Sequence, residues 1–171
     1  FGETLLGLFE LRGGGGVEII RDARRIIDDA ILAVLPDAAV KQVLCDVRSD
    51  RPVHLVAIGK AAWKMAQAAC QALGDRVVSG VVITKYGHAQ SPLDRIEIIE
   101  AGHPVPDENS VRGARRALAL ADTLGEGDRV LFLVSGGGSA LFELPLPGVT
   151  LEDIASVTKQ LLARGADIAE I

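Results

Sequence analysis

Short runs of Val, Ile and Leu alternate with helix-like segments along most of the chain, and this alternation constrains the fold more than any other feature. The four runs that read as strands are residues 53–58, 80–84, 96–100 and 130–134. Runs this short and this rich in branched aliphatic residues are typical of strands buried in a parallel sheet. Strands that alternate with helices predict a mostly parallel sheet that is covered by helices on both faces.

Five segments carry apolar residues three or four positions apart, which is the spacing of an amphipathic helix. They are residues 17–35, 37–44, 61–73, 108–124 and 151–164. Asp107 and Thr150 stand where an N-cap belongs, with Asp153 in a position like that of a capping box. Helices and strands together predict an α/β protein with a Rossmann-like three-layer fold. The stretch between the second and third strands is too short for an ordinary crossover helix, so one strand could be antiparallel.

The first sixteen residues read as a separate segment. Residues 1–12 could form a short amphipathic helix, and the four consecutive glycines at positions 13–16 predict a flexible linker. Two interpretations are open: a native N-terminal arm, or a peptide joined by an engineered linker. We favour the second, because four glycines in a row are unusual in a compact domain. The domain itself is then residues 17–171.

Composition excludes several classes of protein. The chain has 171 residues, 49% of them hydrophobic, which is enough for one domain with a core. The net charge is -5 with scattered Lys and Arg, so we predict no nucleic-acid partner. No apolar run approaches the ~20 residues that span a bilayer, so we predict no membrane association. Cys45 and Cys70 match no metal spacing and read as reduced thiols, which favours a cytoplasmic location and no metal site.

Each predicted strand is followed by glycine together with a charged or hydrogen-bonding side chain. Gly59 and Lys60 follow the first strand, and Lys85 and His88 follow the second. His103 and Asp107 follow the third. After the fourth comes a segment that we call the glycine turn: Ser135, Gly136, Gly137, Gly138 and Ser139. Because the carboxyl ends of parallel strands share one edge of the sheet, the four loops are expected to converge there.

The chemistry that these loops suggest is anion binding. The glycine turn offers backbone N–H groups, two hydroxyls and a possible helix start near Ser139. A tight strand-to-helix turn would explain one glycine but not three. Lys60 could neutralise a phosphate or carboxylate, and a lysine is mildly disfavoured in a first helical turn without such a role. His88 and His103 could bind substrate or move a proton, whereas Asp107 is first of all an N-cap.

Three familiar signatures are absent. A Walker A loop needs glycine at position 54, where His54 stands, and Ser or Thr in place of Ala61. The dinucleotide fingerprint and the nucleophile elbow both fail at Leu141, where each needs a glycine.

With these loops laid out, the chain resembles the N-terminal domain of the class II glycerate kinases, the glycerate 2-kinase family. The stretches that carry the resemblance are AIGKAAWKMA, GVVITKYGHA, IEIIEAGHPVPDENS, LFLVSGGGSALFELP and TKQLLARGADIAEI. The resemblance implies transfer of a phosphoryl group from ATP, with Mg²⁺, to the 2-hydroxyl of D-glycerate. It matches Lys60 to the lysine of the family's active centre and the glycine turn to a loop that meets glycerate or phosphate. His88, His103 and Asp107 match motif positions without an assigned role.

The family's proteins are much longer, and they continue into further basic and polar active-site residues and a second domain. We therefore expect this chain alone to have little or no kinase activity. Two alternatives stay open: a hydroxypyruvate reductase, against which the missing dinucleotide fingerprint counts, and a non-catalytic α/β module that uses residues 1–12 as a docking peptide. Glycerate and a nucleotide are the expected partners, and a homo-oligomer is possible.

Overall fold

The computed structural model describes residues 14–45 and 51–167. The helices are α1 (Gly14–Ala33), α2 (Pro36–Leu44), α3 (Ala62–Leu73), α4 (Glu108–Ala121), α5 (Gly138–Leu141) and α6 (Leu151–Ala163). The strands are β1 (Val53–Ile58), β2 (Val77–Lys85), β3 (Ile96–Ala101) and β4 (Arg129–Val134). Residues 1–13, on which the predicted arm falls, lie outside the described residues.

The four strands form one sheet in the order β3-β2-β1-β4, and every neighbouring pair is parallel. The expectation of an antiparallel strand is therefore wrong. β3 begins opposite Gly80, so the chain must return over only five residues of β2, about 17 Å. The ten residues 86–95 span this distance without a helix. Trp63 Nε1 donates to the carbonyl of Ser91 (2.9 Å) and thereby holds this crossover against α3.

Helices cover both faces of the sheet. On one face, Leu55 and Ala57 of β1 pack with Trp63 of α3, which is 2% exposed. On the other face, Val56 and Ile58 pack with Ala117 of α4. Inner strands that are apolar on both faces belong to a sheet between two helix layers, as the short aliphatic runs predict. The three-layer α/β architecture is confirmed.

The predicted helix ends are largely confirmed. Asp107 caps α4 by accepting from the N–H groups of Asn109 and Ser110, and the Ser110 hydroxyl reciprocates. Thr150 and Asp153 form the same reciprocal box at the start of α6. Each box satisfies N–H groups that have no partner within the helix.

α1 differs from its prediction in where it begins. It begins at Gly14, so three of the four glycines lie in its first turn rather than in a linker. Extension of an existing helix costs far less than nucleation, and glycine tolerates helical dihedral angles. Every side chain from Val17 to Val34 is exposed, including the apolar stripe of the amphipathic pattern. The amphipathic spacing predicted the helix without indicating which surface the stripe would meet, and in the described residues the stripe stays exposed.

The outer strand β4 is covered on one face only. Leu131 and Leu133 pack toward α3, whereas Val130, Phe132 and Val134 are 47%, 50% and 57% exposed. Among the described strands, β1 alone pairs with β4, so β4 forms an edge of this sheet. Among residues 14–45 and 51–167, no helix combines the length and the apolar character that crossing a membrane would require.

Candidate active site

The carboxyl ends of β1 and β4 lie side by side where the strand order of the sheet changes direction, and we call this place the crevice. The chain leaves β1 into α3 on one face, whereas α4, which leads into β4, packs on the other face. Strand order reverses at this point, and open α/β sheets bind their ligands outside such a reversal. Lys60 follows β1 and the glycine turn follows β4, so both stand at this crevice.

Backbone hydrogen bonds tie the Lys60 loop to the glycine turn. The N–H of Lys60 donates to the carbonyl of Gly136 (2.9 Å), and the N–H of Ser135 donates to the carbonyl of Ile58 (2.9 Å). Gly59 has φ +109°, and a Cβ there would overlap the Ser135 carbonyl and hydroxyl oxygens. Glycine at position 59 therefore allows the two loops to touch.

The hydroxyl of Ser135 is committed to this junction. It donates to the carbonyl of Ile58 (3.2 Å) and accepts from the N–H of Ala61 (3.0 Å). Its single proton is thereby used, so it has little capacity left for a ligand. Ser135 was predicted as a ligand contact, whereas these bonds favour a supporting role. Ser139, by contrast, is exposed one residue into α5.

The backbone carbonyls of Gly59 and Lys60 also accept hydrogen bonds from side chains of the β2 segment. The wholly buried hydroxyl of Thr84 donates to the carbonyl of Gly59 (3.1 Å). His88 Nδ1 donates to the carbonyl of Lys60 (2.8 Å), so this nitrogen carries the ring proton. Sequence reasoning did not assign Thr84 a role. A threonine at the carboxyl end of a buried strand, in a loop already singled out, was the available signal.

Gly137 is where three of the predicted loops meet. It has φ +86°, and a Cβ placed on it would stand 2.8 Å from Nε2 of His103 and 3.3 Å from Cε of Lys60. The imidazole and the lysine therefore both lie over the bare α-carbon of this residue. Any side chain at position 137 would fill the space that they border.

The charged groups around His103 indicate which kind of ligand the site favours. Burial lowers the pKa of His103 first, and electrostatic interactions with Lys60, Lys85 and His88 lower it further. A weaker hydrogen bond to its own backbone acts in the opposite direction. Within the described residues, neither lysine forms an ion pair with a carboxylate. Basic groups gathered without a matching acid favour an anionic ligand.

Asp107 supports the site from behind. Its Oδ1 accepts from the N–H groups of Asn109 (3.0 Å) and Ser110 (3.1 Å), and its Oδ2 accepts from the Tyr86 hydroxyl (2.8 Å). Burial raises the pKa of Asp107, but hydrogen bonds from Tyr86, Gly102 and the helix N–H groups outweigh it and lower the pKa overall. Both oxygens are thus engaged, which does not favour the predicted ligand contact.

Metal-ligating side chains are sparse in this part of the molecule. Over residues 14–45 and 51–167, no group of three or more His, Cys, Asp and Glu side chains is placed to hold a metal ion. His54 lies at the other end of β1, where its Nδ1 is 2.8 Å from the Ser79 hydroxyl. It takes no part in the crevice.

Comparison with known proteins identifies the family of the chain. Residues 22–171 match the model of a family described as a domain of unknown function, DUF4147. The chain belongs to this family. It is 58% identical over 149 residues to a protein named D-glycerate 2-kinase from Thermotoga maritima, which covers 87% of this chain and 36% of the relative. It is also 45% identical over 148 residues to a putative hydroxypyruvate reductase from Agrobacterium vitis, covering 86% of this chain and 33% of that protein.

The fold of this DUF4147 chain also matches a solved structure. The crystal structure of a glycerate kinase from Thermotoga maritima superposes with a TM-score of 0.80 at 55% identity, covering 89% of this chain and 36% of that one. The chain therefore spans about a third of the length of the relatives that it matches. The resemblance to the N-terminal domain of glycerate kinases is confirmed.

Proposed function

We propose that this domain forms one wall of the active site of a glycerate 2-kinase, which transfers a phosphoryl group from ATP to the 2-hydroxyl of D-glycerate. The observation that carries the proposal is the meeting of Lys60, His103 and Gly137 at the strand-order reversal. Its context is a chain 58% identical to a protein named D-glycerate 2-kinase. The family name alone describes no function, so the geometry supplies the chemical argument.

Lys60 is the proposed catalytic cation. Its backbone is fixed on both sides, by Gly136 at the N–H and by His88 at the carbonyl, whereas its side chain is exposed toward the crevice. Phosphoryl transfer spreads negative charge over the oxygens of the moving group. A fixed ammonium beside that group stabilises the charge without needing to reorganise during the reaction.

The glycine turn and Lys85 are the proposed binding elements. Gly136, Gly137 and Gly138 leave their backbone accessible to a carboxylate or phosphate, and Ser139 adds an exposed hydroxyl. Lys85 and His88 close the basic cluster on the β2 side. D-glycerate carries a carboxylate and a nucleotide carries phosphates, so both substrates suit this environment.

The described residues fit a polyphosphate better than they fit a bare metal ion. The space over Gly137 and the unpaired lysines suit anionic oxygens, whereas no cluster of carboxylates and imidazoles is available in residues 14–45 and 51–167. Mg²⁺ usually binds through one or two carboxylates together with substrate phosphates. We therefore assign it no ligand in this domain and derive no step through it.

A reductase is the second candidate, because the Agrobacterium vitis relative is named a putative hydroxypyruvate reductase. Reduction by NADH requires a dinucleotide site, and the turn after β4 lacks the last glycine of the usual fingerprint at Leu141. The kinase is therefore the better-supported function. The docking role of residues 1–12, the cytoplasmic location and the homo-oligomer remain predictions.

A chimera tests the proposal. The matched 149-residue region of the Thermotoga maritima relative is replaced with the corresponding part of this chain, and ADP release is measured with D-glycerate, ATP and Mg²⁺. We expect the chimera to turn over and this chain alone to show little or no activity. Catalysis by positioning and charge needs groups on several sides of the substrate, and the described site is open on one side.

Two outcomes would contradict the kinase assignment. One is a chimera that folds and binds phosphate but releases no ADP. The other is NADH oxidation with hydroxypyruvate in place of kinase activity. Circular dichroism and a thermal melt of the chimera establish that it is folded before either result is interpreted.

A further inference from the structure

Transfer to a hydroxyl group needs an acceptor for the hydroxyl proton, and few groups in the described site are free to take it. Both oxygens of Asp107 are engaged at the start of α4. Glu100 Oε1 accepts from the N–H of Ala89 (2.9 Å), which anchors the crossover between β2 and β3. The carboxylates nearest the loops therefore serve the fold. Of the side chains that border Gly137 or face His103, the imidazoles are those that can act as a base near neutral pH.

The two imidazoles differ in their exposure and in the contacts of their ring nitrogens. His88 is exposed and uses Nδ1 to hold the carbonyl of Lys60. His103 is half-buried, and its Nε2 stands over Gly137 beside the Lys60 side chain. A neutral imidazole keeps a lone pair on one ring nitrogen, and Nε2 is the nitrogen that borders the space over Gly137.

We propose that His103 is the general base of the site, and that its Nε2 accepts the proton of the acceptor's 2-hydroxyl. In the step, the O–H bond breaks and its proton forms an N–H bond at Nε2. The hydroxyl oxygen forms a bond to the γ-phosphorus, the bond from that phosphorus to the bridging oxygen breaks, and ADP leaves with the electron pair. This assignment rests on the proposed function, because it names the group that receives the proton in the same transfer.

The groups around His103 favour the neutral imidazole, which is the form that can accept a proton. The charged and titratable groups that face His103 are Lys60 from the β1 loop and Lys85 and His88 from the β2 loop. The glycine turn contributes no titratable side chain, and Asp107 is turned toward Tyr86 and α4. Burial and these neighbours lower the pKa of His103 below its ordinary value of 6.5, so the neutral ring, which can accept a proton, predominates at pH 7.

The test uses the ¹⁵N-labelled chain and its imidazole NMR signals, which are few because the chain has three histidines. D-glycerate, 3-hydroxypropionate, which lacks the 2-hydroxyl, and inorganic phosphate are titrated at pH 7.5. We expect D-glycerate to shift the His103 Nε2 resonance in the direction of hydrogen-bond acceptance while the ring stays neutral. 3-Hydroxypropionate should bind about 3- to 10-fold more weakly, as for one lost hydrogen bond. His54, outside the crevice, is the internal control.

Variants separate this role from a structural one. His103→Phe keeps a planar ring over Gly137 but has no lone pair, and we expect it to abolish the preference for D-glycerate over 3-hydroxypropionate while it retains phosphate binding. His103→Ala is the second variant should the larger ring disturb the fold. In the unmodified chain, the same preference should vanish when the pH is lowered until His103 is protonated. A residue that only packs would show no such pH dependence.

Three results of these measurements would contradict the general-base proposal. Binding of D-glycerate with protonation of Nε2 at pH 7.5 would make His103 a carboxylate contact and overturn the proposal, with the kinase site left standing. The general-base proposal would also be overturned, with the anion site left standing, if NMR signals of the glycine turn responded to D-glycerate and to phosphate while the Nε2 resonance did not. If neither phosphate nor D-glycerate perturbs the turn, the anion site itself fails and the general base falls with it.

Discussion

Nε2 of His103 stands over the bare α-carbon of Gly137, since a Cβ on that glycine would lie 2.8 Å from Nε2. The same Cβ would lie 3.3 Å from Cε of Lys60. Two loops that are far apart in sequence therefore border one space over a residue without a side chain. Position 137 is restricted by its neighbours as well as by its φ of +86°.

Gly137→Ala is expected to impair both folding and binding. Alanine in the left-handed region costs about 1–2 kcal/mol, and its methyl group would displace His103 or Lys60. We expect the free energy of unfolding to fall by about that amount and the affinity for phosphate to fall about tenfold or more. Chemical denaturation and phosphate titration measure the two effects. Gly136→Ala is the matched control, because nothing lies within 4 Å of its Cβ position; equal effects of the two variants would contradict the assignment.

Lys60→Ala is expected to separate binding from stability. The side chain is exposed and forms no ion pair with the described carboxylates, so its loss should change the free energy of unfolding by less than about 0.5 kcal/mol. Phosphate affinity of the chain and turnover of the chimera should both drop strongly. Lys64→Ala, in the first turn of α3, provides a control at another exposed lysine. Normal turnover in the Lys60 variant would rule out its catalytic role.

The two serines of the glycine turn are expected to behave in opposite ways. Ser135→Ala leaves the N–H of Ala61 without its partner, whereas the carbonyl of Ile58 keeps the backbone N–H of residue 135, and the unpaired donor should cost about 1–3 kcal/mol of stability. Ser139→Ala removes an exposed hydroxyl and should leave stability unchanged while it weakens phosphate binding. Thermal melts and titrations of both variants measure this. A stable Ser135→Ala variant that has lost only binding would show that the hydroxyl serves the ligand.

The strands and the convergence of their loops could be predicted because the responsible signals are local. Aliphatic runs mark the strands, and a parallel sheet brings their carboxyl ends to one edge. The roles of individual side chains could not be predicted in the same way. The Ser135 hydroxyl bonds to the N–H of Ala61, 74 residues away, and no local pattern indicates that it faces the protein rather than a ligand.

The expectation of an antiparallel strand beside the connection of residues 86–95 was wrong for a related reason. A ten-residue connection is short for a helix but long enough for an extended return, and sequence spacing does not distinguish these. The hydrogen bond from Trp63 to Ser91 holds that return in place, and it depends on the packing of α3. The exposed stripe of α1 is the converse case. Its amphipathic period predicted the helix but said nothing about which surface it would meet.

The open edge of β4 predicts self-association of the chain at high concentration. Val130, Phe132 and Val134 are about half exposed, and neither charge nor proline interrupts residues 130–134. An apolar edge strand of this kind is prone to pair with another chain. Phe132→Lys should therefore lower the mean mass measured by light scattering at high concentration. Val17→Lys, at an exposed apolar position on α1, is the control. An equal decrease in mean mass with both variants would contradict pairing at the β4 edge and indicate general surface hydrophobicity as the cause.

Asp107 should make the start of α4 sensitive to acid. Its folded-state pKa is lowered below the ordinary value of 3.8, since hydrogen bonds from Tyr86 and the helix N–H groups outweigh its burial. A lowered pKa contributes stability that is complete above the ordinary pKa and is lost as the pH falls through the folded-state pKa. Asp107→Asn keeps a cap but removes the charge, so we expect it to cost about 1 kcal/mol at pH 7 and progressively less below about pH 4. Urea denaturation from pH 3 to pH 7 measures the difference. Asp122→Asn, at the exposed far end of α4, is the control for the substitution itself, and a cost at Asp107 that did not change with pH would contradict the electrostatic explanation.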